Sequence, residues 1–548
     1  MVDRSGDEVI AALHQRLEVQ RQNPELWLQL GLTYQVMHRW DEAMRCFQNA
    51  LILRPIFFDA MFHQATLFMI SGRFEEAIHC YRRALKIRRR SLEGWANLGG
   101  AYLKLDRLRE ARDSLLQALS LAPGEPGILT NLGTVLHKLG RHDEALAHWR
   151  EALAVAPDFP DAWLNLGHAL QELDRLDEAE VAFERVLTLR PEGAEAMTGL
   201  GIIAHKRQHY SSALKWYQAA LQLKPDLAAA HYNDGLTRLC LGDFAVGWSQ
   251  YEWRWRTDAF PPHGFTQPLW DGQMASGKTL LLHCEQGFGD SIQFIRYAAM
   301  VKERCGAVAV FCPPALERLF STVHGIDHLA SRSDRLPVCD LQIPLMSLAG
   351  TLGTSLENVP DRIPYLAVDE GWVDRFRGRL APLSGIKIGL AWRGNPKHIN
   401  DRNRSIDPRL FLEEWLTLPG YQFIGLQQEM TGDERQWCSG YAQFHEFSDA
   451  LGDFADTAGL ISSLDGVISV DTAVVHLAGA LGRPVWVLLP KVADWRWLRD
   501  RTDSPWYPTM RLLRQTGDGG WGAVISRVAQ LLQEIGTPEQ FQEKKCTQ

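Results

Sequence analysis

Residues 162–191 read AWLNLGHALQELDRLDEAEVAFERVLTLRP, and the way this stretch recurs decides the first half of the fold. Stepping from Pro191 by 34 residues reaches Pro157, Pro123 and Pro225, and further back Arg89 and Pro55. In the same register Gly167 belongs to a column with Gly31, Gly99, Gly133, Gly201 and Gly235, Ala65 filling the second slot. Ala179 belongs to another, with Ala43, Ala77, Ala111, Ala145 and Ala213, and no gap is needed anywhere. Each unit reads as a pair of antiparallel helices. Small residues at the two columns let the helices approach, and the proline cannot continue the second one.

This pattern resembles the tetratricopeptide repeat (TPR), which implies an all-α superhelix. Seven units span residues 22–258, with residues 1–21 as an N-terminal helix or cap. The last unit is degenerate: Gly247 replaces the alanine, and Trp248, Tyr251, Trp253 and Trp255 come after it. An end repeat must cover an otherwise open core, so these aromatics are expected to plug the array against the next domain. Two residues before the glycine column stand Asn97, Asn131, Asn165 and Asn233, interrupted by Gly199 and preceded by Gln29 and His63. Such a column faces the concave side, where amides offer both donor and acceptor to an extended peptide. It resembles the asparagine ladder of O-GlcNAc transferase, although asparagine is also simply common at this place in TPR units.

The chain has 548 residues, enough for about three domains. Its 58 basic and 66 acidic residues give a net charge of -8, without the basic excess of a nucleic-acid surface. The start, MVDRSGDEVI, is polar and acidic, and no apolar run approaches bilayer-spanning length, so a soluble cytoplasmic protein without membrane insertion is expected. Nine scattered cysteines without a C-x-x-C pair read as reduced thiols.

A proline- and glycine-containing connection, residues 259–277, ends the repeats. Beyond it the short apolar runs KTLLLHC, AVAVFCP, IKIGLAW, YQFIGL, DGVISV and PVWVLL alternate with helical stretches, as buried parallel strands do in α/β layers. They fall into two groups, residues 278–384 and 385–535, followed by a tail at 536–548. Paired Rossmann-like domains facing a cleft are expected.

In the first group a strand runs into Gly287 and Gly289, so a tight turn brings Asp290 to the carboxyl end of the sheet. Ile292 stands where a dinucleotide fingerprint needs its third glycine, and Asp290 alone would equally serve as a helix cap. In the second group a strand ends in Trp392-Arg393-Gly394-Asn395, and a polar segment carries Lys397, Arg402 and Arg404. Fixed cations there suit a phosphate; the alternative is a solvated loop. Later Asp471 ends a strand in SVDTAVVHLAGALGRPVWVLLP and is expected to cap a helix starting at Thr472, whose N-terminus attracts anions. Thr472 and His476 share a helix face, and a lone histidine there also suits a core.

Together, the GFGD turn, the basic loop after GLAWRGN and the D-T-x-x-x-H stretch resemble glycosyltransferase family 9, the heptosyltransferases. That resemblance implies a GT-B fold over about residues 278–535 and a nucleotide-sugar donor. It casts Asp290 as general base, and Asp471, Thr472 and His476 at the donor's diphosphate and sugar. Arg404 is the best match to the family's phosphate contact, with Arg393 second and Asn395 in the same motif. The whole layout is similar to bacterial TPR-glycosyltransferase fusions, some of which modify flagellin. No D-x-D pair occurs, so the expectation is a donor held without metal or cofactor, by Arg404 and a helix N-terminus. The attached array and the segment DWRWLRDRTDSPWYP depart from lipopolysaccharide heptosyltransferases. Three functions therefore compete: a transferase acting on a protein held by the array, one acting on a lipid-linked or lipopolysaccharide glycan, and a non-catalytic scaffold.

Overall fold

The computed structural model describes residues 2–260, 263–398, 400–517, 520–535 and 540. Apart from Gln540, the tail expected at 536–548 lies outside the described residues, as do Pro261 and Pro262 of the connection. The chain divides into two compact units, Met1–Ile203 and Ala204–Gln548.

The first unit consists of antiparallel helix pairs such as Pro160–Glu172 with Leu176–Leu189. At Gly31, Gly99, Gly133 and Gly167 the second helix of the pair drives a large side chain into the first. A Cβ added at Gly31, Gly133 or Gly167 would lie 2.6–2.7 Å from the rings of Phe47, Trp149 and Phe183 respectively. Those rings recur at the 34-residue interval and are buried. The glycine thus makes a notch that the aromatic fills, as close-packed interiors require. A second column fixes the turn inside each pair: His38, Gly72, Asp106, Gly140 and Asp174 all have positive φ. Asp and glycine tolerate that backbone better than most residues.

The second unit begins inside the array, not after it. The helices Tyr210–Leu223, Ala228–Leu241 and Phe244–Tyr251 belong to the same compact unit as the strands. Trp248 is buried against Trp495 with ring centroids 5.3 Å apart, and its indole N–H donates to the carbonyl of Thr354. Trp248 and Tyr251 therefore plug the array as expected, while Trp253 stacks on His231. The fully buried Arg254, next to Trp253 in the chain, forks onto Glu285 at 2.8 and 3.2 Å. The connection at 259–277 is partly docked: Leu269 bridges to Gln342, Trp270 is buried, and the first strand already starts at Ala275.

Among the described residues, ten strands form two all-parallel sheets. In the first, β1 (Ala275–His283), β2 (Cys305–Phe311), β3 (His328–Ala330) and β4 (Leu341–Pro344) lie in the order β3-β2-β1-β4. In the second, β5 (Ile386–Ala391), β6 (Tyr421–Gly425), β7 (Phe444–Glu446), β8 (Gly466–Val470), β9 (Val485–Leu489) and β10 (Met510–Arg514) lie in the order β10-β9-β8-β5-β6-β7. This is the doubly wound arrangement in which the strand order reverses beside the first strand, and ligands bind outside the carboxyl ends at that point. All six apolar runs are strands. β3, β4, β7 and β10 are additional, being short or edged with charge.

The notch gives a prediction with opposite signs at two helical glycines. Alanine normally gains up to about 1 kcal/mol over glycine in a helix, and a Cβ at Gly100 meets nothing within 4 Å. Gly100→Ala should therefore raise the midpoint of urea unfolding. Gly167→Ala should lower stability by about 1–3 kcal/mol through overpacking against Phe183.

Candidate active site

Each sheet has one reversal point, and the sequence motifs sit on both. In the first sheet His283, at the end of β1, pairs with Pro344, at the end of β4. The chain leaves β1 through Glu285, Gln286 and the GFGD turn. In the second sheet Ala391 of β5 pairs with Ser469 of β8, so the loop carrying Arg393–Arg404 and the Asp471–Thr472 turn leave from adjacent strands.

The GFGD turn is tightly held. Asp290 Oδ2 accepts the Gly287 N–H at 2.9 Å, which is the capping role that its position allows. Its Oδ1 accepts from Nη2 of Arg496 at 2.5 Å. Two lone-pair sites on each carboxylate oxygen leave capacity for a further proton donor. Gly289 permits close approach by the second sheet's domain, since a Cβ there would lie 2.8 Å from Cδ2 of His476. Gln286, at the head of the turn, has φ +59°, and its amide donates to the buried Tyr251 hydroxyl at 2.9 Å. The final repeat therefore braces this turn directly.

Arg496 is the residue of this cluster that the motifs missed. It is 7% exposed, and its guanidinium reaches Asp290, Gln293 at 2.8 Å and Asp494 at 2.6 Å. Burial alone would make it easier to deprotonate; the charges of Asp494, Asp290 and Asp471 reverse that and hold the guanidinium firmly protonated. Leu498, two residues on, has φ +51° and ψ -178°, a region nearly reserved for glycine. Arg514 holds it there by donating to the carbonyls of Trp497 and Leu498. Outside the repeat turns, Gln286 and Leu498 are the two non-glycine residues with positive φ among the described residues. They flank the two ends of the Asp290–Arg496 pair. The one available signal for Arg496 was its place in the aromatic segment that departs from the family pattern.

The residues expected at the donor divide by their contacts. The helix after β8 is Ala473–Ala480, and its N-cap is Thr472 itself, whose hydroxyl accepts the Val474 N–H; Asp471 is not the cap. The reason is geometric: Thr472 keeps an extended backbone, φ -140° and ψ 174°, so the helix starts one residue later than expected. Arg404 lies across the strand ends, donating from Nη1 to the Asp471 carbonyl at 3.0 Å and from Nε to Asp401 at 3.2 Å. Its Nη2 group makes no hydrogen bond among the described residues. Gly394 gives it room, because a Cβ would lie 2.5 Å from that nitrogen.

Arg393 is committed elsewhere. It forks onto the buried Glu434 with both contacts at 3.2 Å and donates to the Glu429 carbonyl, which ties β5 to the helix Gly432–Cys438. Asn395 is exposed and accepts the Lys397 N–H, forming a local turn. His476 is buried, shares a hydrogen bond with the Tyr507 hydroxyl at 3.1 Å and stacks on Trp497. Burial, reinforced by Arg496, Arg296 and Arg404, pushes its basicity far down, so it is neutral. It packs the Gly289 turn as a core histidine does.

In the repeats Asn97, Asn131 and Asn165 of the first unit are half-buried on the first helix of their pairs, and Asn165 Nδ2 reaches the Thr134 hydroxyl at 3.4 Å. Asn233, in the second unit, donates back to the carbonyl of Ala229 on its own helix.

The parts assemble into a TPR array followed by a parallel α/β region. Residues 65–106 and 135–174 match the family model described as TPR repeat, and residues 92–125 and 164–228 match models described as tetratricopeptide repeat. Protein FlbA of Caulobacter vibrioides is 28% identical over 335 residues, 56% of this chain and 56% of that protein. The chain thus spans about half the length of this relative. Among solved structures, TTC0263, a thermophilic TPR protein of Thermus thermophilus, is 26% identical, covering 35% of this chain and 99% of that one with a TM-score of 0.28. Pseudomonas aeruginosa pilF is 22% identical, covering 38% and 94% with a TM-score of 0.34. No helix among the described residues is long and apolar enough to cross a membrane.

Asp471 provides a titration test of this geometry. Burial, then the neighbouring charge of Asp494, push its carboxyl up to about 6 from an ordinary 3.8, against Arg496 and Arg404. Between those values the folded state binds more protons than the unfolded one, so stability falls as pH rises through the window. Asp471→Asn removes that loss. Its unfolding free energy relative to wild type should climb by up to about 3 kcal/mol between pH 4 and pH 7, measured by chemical denaturation. A flat difference would mean that Asp471 is not held in this field.

Proposed function

We propose that the chain is a glycosyltransferase of the GT-B type that moves a sugar, with inversion, from a nucleotide-activated donor to a hydroxyl group of a protein recruited by the repeat array. The observation that carries this reading is the meeting of two reversal points: Asp290 leaves one sheet and Arg404, Asp471 and Thr472 leave the other, with Arg496 pairing across to Asp290. The array supports a protein acceptor, because repeat helices of this kind present extended concave surfaces.

In this reading the acceptor oxygen attacks the anomeric carbon as the bond to the donor's diphosphate breaks. The acceptor proton passes to Asp290, and the electron pair leaves with the diphosphate. A single displacement inverts the anomeric centre. Arg404 supplies the free Nη2 group, and the helix N-terminus at Thr472 supplies backbone donors, for the charge gathering on the leaving diphosphate. Arg496 orients Asp290.

The test uses the full-length protein, a panel of radiolabelled nucleotide sugars and cell extract as acceptor. Wild type should transfer label to protein. Asp290→Ala should lose at least about a hundredfold of that transfer while still binding the donor. Transfer retained by Asp290→Ala would remove Asp290 as the base, and label appearing in glycan in place of protein would redirect the acceptor.

A further inference from the structure

The helices Val2–Val19, Trp40–Leu53 and Phe74–Ile87 end 34 residues apart, so their C-terminal turns occupy equivalent places on successive pairs of the first unit. Those places are unusual in two ways at once. Large aliphatic side chains stand out into solvent: Val19 is 84% exposed, Ile52 75%, Ile56 74%, and Leu53 and Ile87 are exposed as well. Exposed cations are interleaved with them, namely Arg21, Arg54, Lys86, Arg88, Arg89 and Arg90. Arg54 pairs with Glu25 and Arg88 with Asp59, whereas Lys86, Arg89 and Arg90 meet no carboxylate among the described residues. Between Ala77 and Arg109 the sequence holds nine cations and two carboxylates, in a chain whose net charge is -8.

The later pairs supply an internal control. Their equivalent turns read SLAPG at 120–124, AVAPD at 154–158 and TLRPE at 188–192. One cation occurs there, Arg190, and it is paired with Asp161; one aliphatic side chain, Val155, is 60% exposed, so what separates the first turns is the exposed cations standing among the aliphatics. A helix C-terminus favours a basic residue for its dipole, but that effect acts on every pair alike and leaves the exposed isoleucines unexplained. The combination is therefore a property of one stretch of edge.

We propose that this edge docks the chain on a membrane surface rich in anionic phospholipid, with the cations meeting headgroup phosphates and the aliphatic side chains entering the headgroup layer. Juxtaposed basic clusters and protruding aliphatics are what interfacial binding requires. A second copy of the edge would bring like charges together. An acidic protein would more typically meet aromatic anchors in a pocket, and the protruding residues here are aliphatic. The proposal is independent of the transferase reading.

The experiment is co-sedimentation of the full-length protein with vesicles of phosphatidylcholine alone or mixed with phosphatidylglycerol. Binding should require phosphatidylglycerol and be largely lost in about 0.5 M NaCl. The combined variant Lys86→Glu, Arg89→Glu, Arg90→Glu should bind at least about tenfold more weakly, with an unchanged melting curve. Ile52→Ser with Ile56→Ser should weaken binding about threefold or more while leaving its salt dependence in place. Lys215→Glu, an exposed charge change outside the edge, should have no effect. Equal sedimentation with neutral vesicles, no sedimentation, or binding that the triple variant leaves unaltered would overturn the proposal. So would binding to polyglutamate or duplex DNA without binding to vesicles.

Discussion

A guanidinium buried to the depth of Arg496 has to be matched by negative charge, and that requirement organises everything around it. Taking an ion out of water costs several kcal/mol, and leaving its partner uncompensated costs about 3–5 kcal/mol. Arg496 is matched from two directions. Asp494 and Asp471 come from its own half of the α/β region, and Asp290 comes from the other sheet's first turn. The ion pair therefore sets the GFGD turn against the ends of β8 and β5. Gly289 and His476 complete the contact by shape, which is why a side chain at that glycine has no space. The strain at Gln286 and Leu498 is tolerated because Tyr251 on one side and Arg514 on the other over-determine those backbones.

The final repeat works under the same constraint. Its Tyr251 stands in the column of large residues that elsewhere fills glycine notches, and here it also holds Gln286. Arg254, fully buried, is matched by Glu285 and Glu252. Two consecutive residues of the strand-to-turn connection, Glu285 and Gln286, are thus secured by side chains of the repeat region. The compact unit accordingly starts at Ala204, within the repeats. An array that ends by bracing the GFGD turn is a structural component of the α/β region as well as a repeat surface.

Much of the fold was legible because periodicity is local. A 34-residue column or a bounded apolar run is visible without knowing its partner, so the repeats and six of the ten strands could be read directly. The turn at Asp290 was legible for the same reason, since glycine spacing encodes it. What stayed hidden depends on partners distant in sequence. Arg496 and Asp290 are 206 residues apart, and Arg254 and Glu285 are held together by tertiary packing. Arg393 stood second to Arg404 as a phosphate contact, and Glu434, 41 residues on, claims its fork. The cap at Thr472 and the short strands β3 and β7 turn on single residues of backbone geometry, which hydrophobic pattern does not specify.

In the proposed function Arg404 and the turn beside it hold the diphosphate of a nucleotide sugar. Isothermal titration calorimetry of the full-length protein against a panel of nucleotide sugars tests it most directly, with Arg404→Ala measured in parallel. At least one nucleotide sugar should bind, and Arg404→Ala should weaken it by about 1.5–3 kcal/mol, the strength of charge-assisted hydrogen bonds. Absence of binding across the panel, or equal affinity in Arg404→Ala, would contradict the claim.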